Sequence, residues 1–301
     1  MDAGAAAPAS SQTPRYYRGM TNATHTESDF SGAGGVRLFR QSWLPEGTPG
    51  GTLAIVHGYG EHSGRYQWAG EQLAAAGYAV HAYDLRGYGR SDGPRALVRS
   101  FNEHLNDLNA FLKLVRAESG DAAPYLLGHS MGGCVAALYA EVRQPALKGL
   151  VLSGPALKLP GGLGLKALTL VMRGVAKLRP SAAMRPLKAA TVSRDPAVVA
   201  AYESDPLVYR GGIPAGTLVA IGRAITRIQA GMESITMPLL LHHGTGDELC
   251  EPEGSKQLYA RAGSTDKTLK LYEGLAHEVL NEPEKEEVLG DLREWLDARR
   301  Q

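Results

Sequence analysis

The sequence predicts an α/β fold: a mostly parallel sheet with helices on both faces. Three observations lead there. Short continuous apolar runs rich in β-branched residues alternate with stretches of helical period. A serine flanked by glycines stands where one such run turns into a helix. A single long stretch, residues 155–235, carries helical patterning and no clear strand.

In chain order, the candidate strands are residues 36–43, 52–56, 78–83, 125–127, 149–152, 238–242 and 269–272. Most are four to eight residues long and lack polar alternation, as expected of strands covered on both faces. The candidate helices are 66–76, 102–118, 131–143 and 285–299, each with apolar positions three and four apart. Residues 1–25 are rich in Ala, Pro, Ser and Thr and read as a disordered leader, with Met20 as an alternative start. Residues 26–154 and 236–301 then form the two parts of the core, and 155–235 forms a helical insert.

Composition narrows the function. Among 301 residues, 44% are apolar and the net charge is +1, so nothing overall points to nucleic acid. Residues 155–235 hold 11 Lys/Arg against 4 Asp/Glu, a net of +7 that leaves −6 for the rest. No apolar run is long enough to span a bilayer. The N-terminus makes a poor signal peptide, and Cys134 and Cys250 are too few for a disulfide scaffold, so a cytoplasmic setting is expected.

The chemistry begins at Gly128-His129-Ser130-Met131-Gly132, a G-x-S-x-G motif between the strand at 125–127 and the helix at 131–143. A nucleophile on so sharp a turn needs a strained backbone, and the flanking glycines remove the clashes. This is the nucleophile elbow of the α/β-hydrolase fold, in which Ser, Asp and His follow in chain order. A serine hydroxyl needs a base to take its proton. His277, in the loop after the last strand, is placed for that role, and Asp247, in the loop after the strand at 238–242, to orient it. His242 and His243, ending that strand, read as packing residues. The strand at 52–56 ends in His57-Gly58-Tyr59-Gly60, so the amides of Tyr59 and Met131 are the expected oxyanion donors.

These motifs resemble the monoacylglycerol lipases of the α/β-hydrolase superfamily. HGYGEHSGRY at 57–66 matches the family's H-G-x-G-E-H-S-x-R-Y signature, and DLRGYGRS at 84–91 its D-x-R-G-x-G-x-S loop. GHSMGG at 128–133 reads as its elbow, and YESDPL at 202–207 is similar to a segment of its cap. STDKTLKLYEG, ending at Gly274, looks like the strand before its histidine. The likeness runs from about Thr26 to the C-terminus and is weakest in the first cap helix.

The resemblance implies a helical cap, or lid, inserted after the fold's sixth strand. It implies hydrolysis of the acyl ester of a monoacylglycerol to fatty acid and glycerol through an acyl-enzyme, with no cofactor and no metal. Glu61, Arg65 and Tyr202 would lie around the glycerol side, although Glu61 and Arg65 equally suit an ion pair supporting the oxyanion loop. The DLRGYGRS loop is expected to be structural. Cys250, three residues after Asp247, is expected near the triad, as a small buried hydrophobe or a reachable thiol. Lysophospholipase or broad carboxylesterase activity is the alternative, and a catalytically dead binding module is disfavoured because Ser130, Asp247 and His277 are all present. Within LGLKALTLVMRGVAKL at 163–178, a broad apolar face flanked by Lys166, Arg173 and Lys177 predicts transient contact with a membrane surface.

Overall fold

The computed structural model describes residues 23–158 and 173–300. Eight strands form one sheet: β1 (Thr24–Ser31), β2 (Arg37–Leu44), β3 (Gly51–Val56), β4 (Tyr78–Tyr83), β5 (Tyr125–His129), β6 (Gly149–Ser153), β7 (Leu239–Gly244) and β8 (Lys267–Tyr272). Their spatial order is β1-β2-β4-β3-β5-β6-β7-β8. Pairing is antiparallel from β1 through β2 to β4 and parallel across the rest.

Strands β3 to β7 are buried at every position, which explains their unbroken apolar character. Strand β1 is different. Its sequence, THTESDFS, is exposed almost throughout, and it is held by backbone pairing to β2 from Thr24↔Leu44 to Ser31↔Arg37. The leader expected at residues 1–25 therefore overlaps the first strand by two residues, Thr24 and His25; residues 1–22 lie outside the described residues.

Helices α1 (Gln67–Ala75), α2 (Phe101–Ser119), α3 (Met131–Arg143), α4 (Pro196–Ser204), α5 (Ala215–Gly231), α6 (Pro252–Arg261) and α7 (Lys285–Asp297) cover the sheet. One face buries Leu73 of α1 with Leu292 and Trp295 of α7; the other buries Phe111 of α2, Cys134 of α3 and Ile228 of α5. Local signals set the helix ends. Ser100 Oγ accepts from the Asn102 amide before α2, and Gly120 closes that helix at φ 68°. Proline opens α4 and α6 at the first turn, where its missing N–H costs nothing.

The connection from β6 to β7 carries α4 and α5, with residues 173–178 also helical. Leu163, Leu165, Lys166, Leu168, Leu170 and Val171 of the expected membrane-facing helix lie outside the described residues. The connection is tied to the C-terminal edge of the sheet by long-range bonds. His62 Nε2 donates to Asp205 Oδ2 at 2.9 Å, the Tyr209 amide to Gly60 O at 2.7 Å, and the Glu278 amide to Val192 O at 2.8 Å.

Candidate active site

Ser130 sits at the junction of β5 and α3 with φ 53° and ψ −119°, a left-handed conformation that a side-chain-bearing residue rarely adopts. Such strain costs roughly 1–3 kcal/mol and persists only where the surroundings enforce it. They do so here. The Ser130 amide donates to Ser153 O on β6, and its carbonyl accepts from the Cys134 and Ala156 amides. A Cβ on Gly128 would lie 2.5 Å from Gly132 O, and one on Gly132 would lie 2.2 Å from Val56 O. Both glycines are thus required by close backbone approach.

Asp247 follows β7 and gathers four donors. Its Oδ1 accepts from the Leu249 and Cys250 amides at 2.8 and 2.9 Å. Its Oδ2 accepts from His277 Nδ1 at 2.7 Å and from His243 Nε2 at 3.1 Å. Burial alone would raise this carboxyl's pKa. The hydrogen bonds from His243 and His277 outweigh it and hold the group well below the usual carboxylate range. Asp247 is therefore an anion throughout the physiological range, able to hold the His277 ring in one orientation.

His277 is buried, with its ring 4.7 Å from that of His129. Gly154, at φ 49°, lets the loop close here: a Cβ there would meet His277 O at 2.9 Å. The potential ligand atoms of Asp247, Cys250 and His277 lie within 4.8 Å of one another, so the Cys250 thiol sits beside the Asp247–His277 pair. Burial, and then the Asp247 charge, push that thiol's pKa well up, so Cys250 is a neutral thiol beside Asp247. With its oxygens already taking four hydrogen bonds, Asp247 acts in this cluster as an acceptor hub.

The loop after β3 completes the site. A Cβ on Gly58 would lie 3.0 Å from Ser130 Cβ, so this loop abuts the nucleophile. Among the described residues, neither the Tyr59 nor the Met131 amide donates to a protein acceptor. The loop is held from behind. His57 Nδ1 donates to Gly58 O and its Nε2 accepts from the Leu85 amide, while burial lowers its pKa and keeps the ring neutral. Asp84 accepts from the Ser63 amide and hydroxyl and from the Arg90 amide. The DLRGYGRS loop is thus a buttress.

Glu61 and Arg65 are drawn into the interior. Glu61 Oε1 accepts from the Gly58 amide at 2.5 Å and from Tyr66 Oη at 2.9 Å, and its Oε2 from Arg65 Nη1 at 3.2 Å. Arg65, only 2% exposed, also binds both oxygens of Glu278. Burial, the largest influence, would raise the pKa of Glu61, but Arg65, the His129 and His57 rings and the Gly58 amide together bring it down to about 2. This arrangement is a buried ion pair whose carboxylate holds the Gly58 amide in the loop after β3. Tyr202 does reach the loop: a Cβ on Gly60 would lie 3.2 Å from its hydroxyl, and Arg65 stacks 4.9 Å from its ring.

Sequence reasoning missed two residues. Glu278 meets Arg65 across 213 positions of chain, which no local pattern reveals. His243 was expected only to pack; its one sequence signal was standing four residues before Asp247.

The profile of a family described as serine aminopeptidase, S33, matches residues 47–284. The chain is 39% identical over 280 residues to a monoacylglycerol lipase of Mycolicibacterium smegmatis, covering 92% of this chain and 99% of the relative. It is 34% identical over 276 residues to the monoglyceride lipase of Homo sapiens, covering 89% of each. Among solved structures, the Paleococcus ferrophilus monoacylglycerol lipase superposes with a TM-score of 0.77 at 33% identity, over 87% of this chain and 99% of that one.

Proposed function

This chain belongs to the monoacylglycerol lipase family of α/β-hydrolases, and from that premise we propose that it hydrolyses monoacylglycerols to a fatty acid and glycerol, with Ser130, His277 and Asp247 as the catalytic triad. The observation that carries the residue assignment is the Asp247–His277 pair, 2.7 Å apart, with the His277 ring 4.7 Å from that of His129, the residue before a serine held at φ 53°.

The chemistry follows from the geometry. Asp247 fixes the tautomer of His277, with the hydrogen on Nδ1. The other ring nitrogen is then free to take the Ser130 proton as the oxygen attacks the ester carbonyl. The Tyr59 and Met131 amides receive the negative charge that develops on the carbonyl oxygen. Breakdown returns the proton to the departing glycerol oxygen and leaves an acyl-Ser130 ester. Water, activated by His277, then releases the fatty acid. Tyr202, whose hydroxyl lies near Gly60 of the loop after β3, is the proposed contact for the polyol head group. Glu61 and Arg65 support this site by holding the loop.

The substrate resides in lipid, and the insert after β6 suits collection from an anionic surface. Arg173, Lys177, Arg179, Arg185 and Lys188 are all exposed, with no acidic residue between positions 173 and 194, and Leu178 is 83% exposed among them. Basic residues near an anionic surface contribute about 1 kcal/mol each. No helix among the described residues is long and apolar enough to cross a membrane, so this contact would be peripheral.

The test is kcat/KM measured side by side on monoacylglycerols, diacylglycerols, lysophosphatidylcholine and p-nitrophenyl esters. Preference for the monoacylglycerol is expected. Preference for lysophosphatidylcholine would replace this substrate reading with that of a lysophospholipase.

A further inference from the structure

We infer that His243 is a positioning residue that acts on catalysis through Asp247, an inference that rests on the triad reading above. Its side chain is fully buried, as is that of Asp247. Three groups surround the ring. Ser255 Oγ on α6 lies 2.7 Å from Nδ1, Cys250 O lies 2.9 Å from Nε2, and Asp247 Oδ2 lies 3.1 Å from Nε2. A carbonyl and a carboxylate can only accept, so Nε2 carries the hydrogen and Nδ1 accepts from the Ser255 hydroxyl. The tautomer is fixed by chemistry, and with it a donor aimed at the oxygen that also binds His277.

Asp247 Oδ2 is therefore shared between two imidazoles, one from β7 and one from the loop after β8. The two amides on Oδ1 fix one edge of the carboxylate, and His243 fixes the other. Rotation of the carboxylate would break the His243 bond as well as the His277 bond. The donor also draws electron density from Oδ2, which tempers how strongly Asp247 favours a protonated His277. Among the described residues, the other groups facing His277 are the His129 ring and the Cys250 thiol. Neither carries a charge here, because burial, the largest influence on each, lowers the His129 pKa and so keeps the ring neutral, and raises that of the thiol. Removing the His243 donor thus has one direction of effect. Protonated His277 becomes easier to form, and the acid limb of the kcat/KM profile moves to higher pH.

The experiment compares His243→Leu, which keeps approximate volume and loses the donor, with His243→Gln, whose amide N–H can reach Asp247. His243→Leu is expected to lower kcat/KM roughly 10- to 100-fold, on the scale of a lost hydrogen bond to a charged group. Its acid limb is expected to rise by about half a pH unit or more. His243→Gln should recover most of both. Ser255→Ala, which frees the ring while leaving Asp247 untouched, should show the same shift in smaller measure; it keeps the test available if the Leu variant does not fold. In an Asp247→Asn background, His243→Leu should cost little more, because its effect passes through the carboxylate. Equal losses in the Leu and Gln variants with an unmoved acid limb, or full additivity on Asp247→Asn, would overturn the inference. Undiminished activity in Asp247→Asn alone would be a separate result, removing the triad assignment and this inference with it.

Discussion

Arg65 and Glu278 meet through two parallel hydrogen bonds of 2.5 and 2.6 Å, with the guanidinium side chain wholly buried. Arg65 belongs to the helical turn Ser63–Tyr66 that follows the loop after β3, and Glu278 is the residue after His277. Since Arg65 also binds Glu61, and Glu61 holds the Gly58 amide, a continuous polar strut joins the oxyanion loop to the base loop. Two catalytic segments far apart in sequence are kept in one geometry by three buried charges.

Removing one charge from that strut strands the others. Glu278→Leu removes two hydrogen bonds from the buried Arg65 guanidinium, and Glu61 is already committed to Gly58 and Tyr66. Breaking a buried pair in this way typically costs about 3–5 kcal/mol, so a clear fall in melting temperature is expected. Activity should fall by a similar factor on a monoacylglycerol and on a p-nitrophenyl ester of the same acid, because the strut supports the oxyanion loop whatever the leaving group. A loss confined to the monoacylglycerol would instead give these residues a direct glycerol contact. Glu61→Gln provides the same comparison from the other end.

Legibility in the sequence followed the range of the interactions. The elbow was legible because its constraint is local: two glycines and a serine between an apolar run and a helix suffice to define it. Asp247 and His277 were legible because each occupies the loop after a recognisable strand. Strand β1 was not, since THTESDFS is an exposed edge strand whose pairing is through the backbone and leaves no apolar alternation. The buried strut was legible only as far as Glu61 and Arg65, four residues apart in one motif. Its third member, Glu278, and the second imidazole on Asp247, His243, depend on the assembled fold.

Stability should begin to fall well above the range where carboxylates titrate. His81, His104 and His242 are buried, and desolvation lowers each to a pKa of about 4. A depressed histidine stays neutral in the native state while the unfolded chain takes up a proton below about pH 6.5. The stability is therefore complete above about pH 6.5 and lost as pH falls toward 4. Among the described residues His104 has no hydrogen-bond partner on either ring nitrogen, so keeping it neutral and buried brings no such bond in return. His104→Leu is expected to raise the urea midpoint at pH 5, by an amount on the order of 1 kcal/mol in stability, and to do so less at pH 8. An equal effect at both pH values would assign the gain to packing alone.

The insert is held to the oxyanion loop by the His62–Asp205 bond. Burial acts to raise the Asp205 pKa, but the hydrogen bond and charge of His62, the Leu207 amide and Arg65 together keep it lowered, so the pair joins a carboxylate to an imidazole N–H. Asp205→Ala should loosen that attachment. The expected signature is a higher KM for a vesicle-borne monoacylglycerol, with kcat on a soluble short-chain ester changed less. Unchanged KM on both would mean that the other links, including Tyr209 N to Gly60 O, suffice.

The most direct test of the account is covalent labelling of the intact protein by a fluorophosphonate, read by peptide mass and paired with turnover of Ser130→Ala, His277→Ala and Asp247→Asn. One adduct on Ser130 is expected, with kcat reduced by about 10⁴ or more in the variants that lose nucleophile, base or orienter while folding is retained. An adduct on another residue, or full activity in Ser130→Ala, would contradict it.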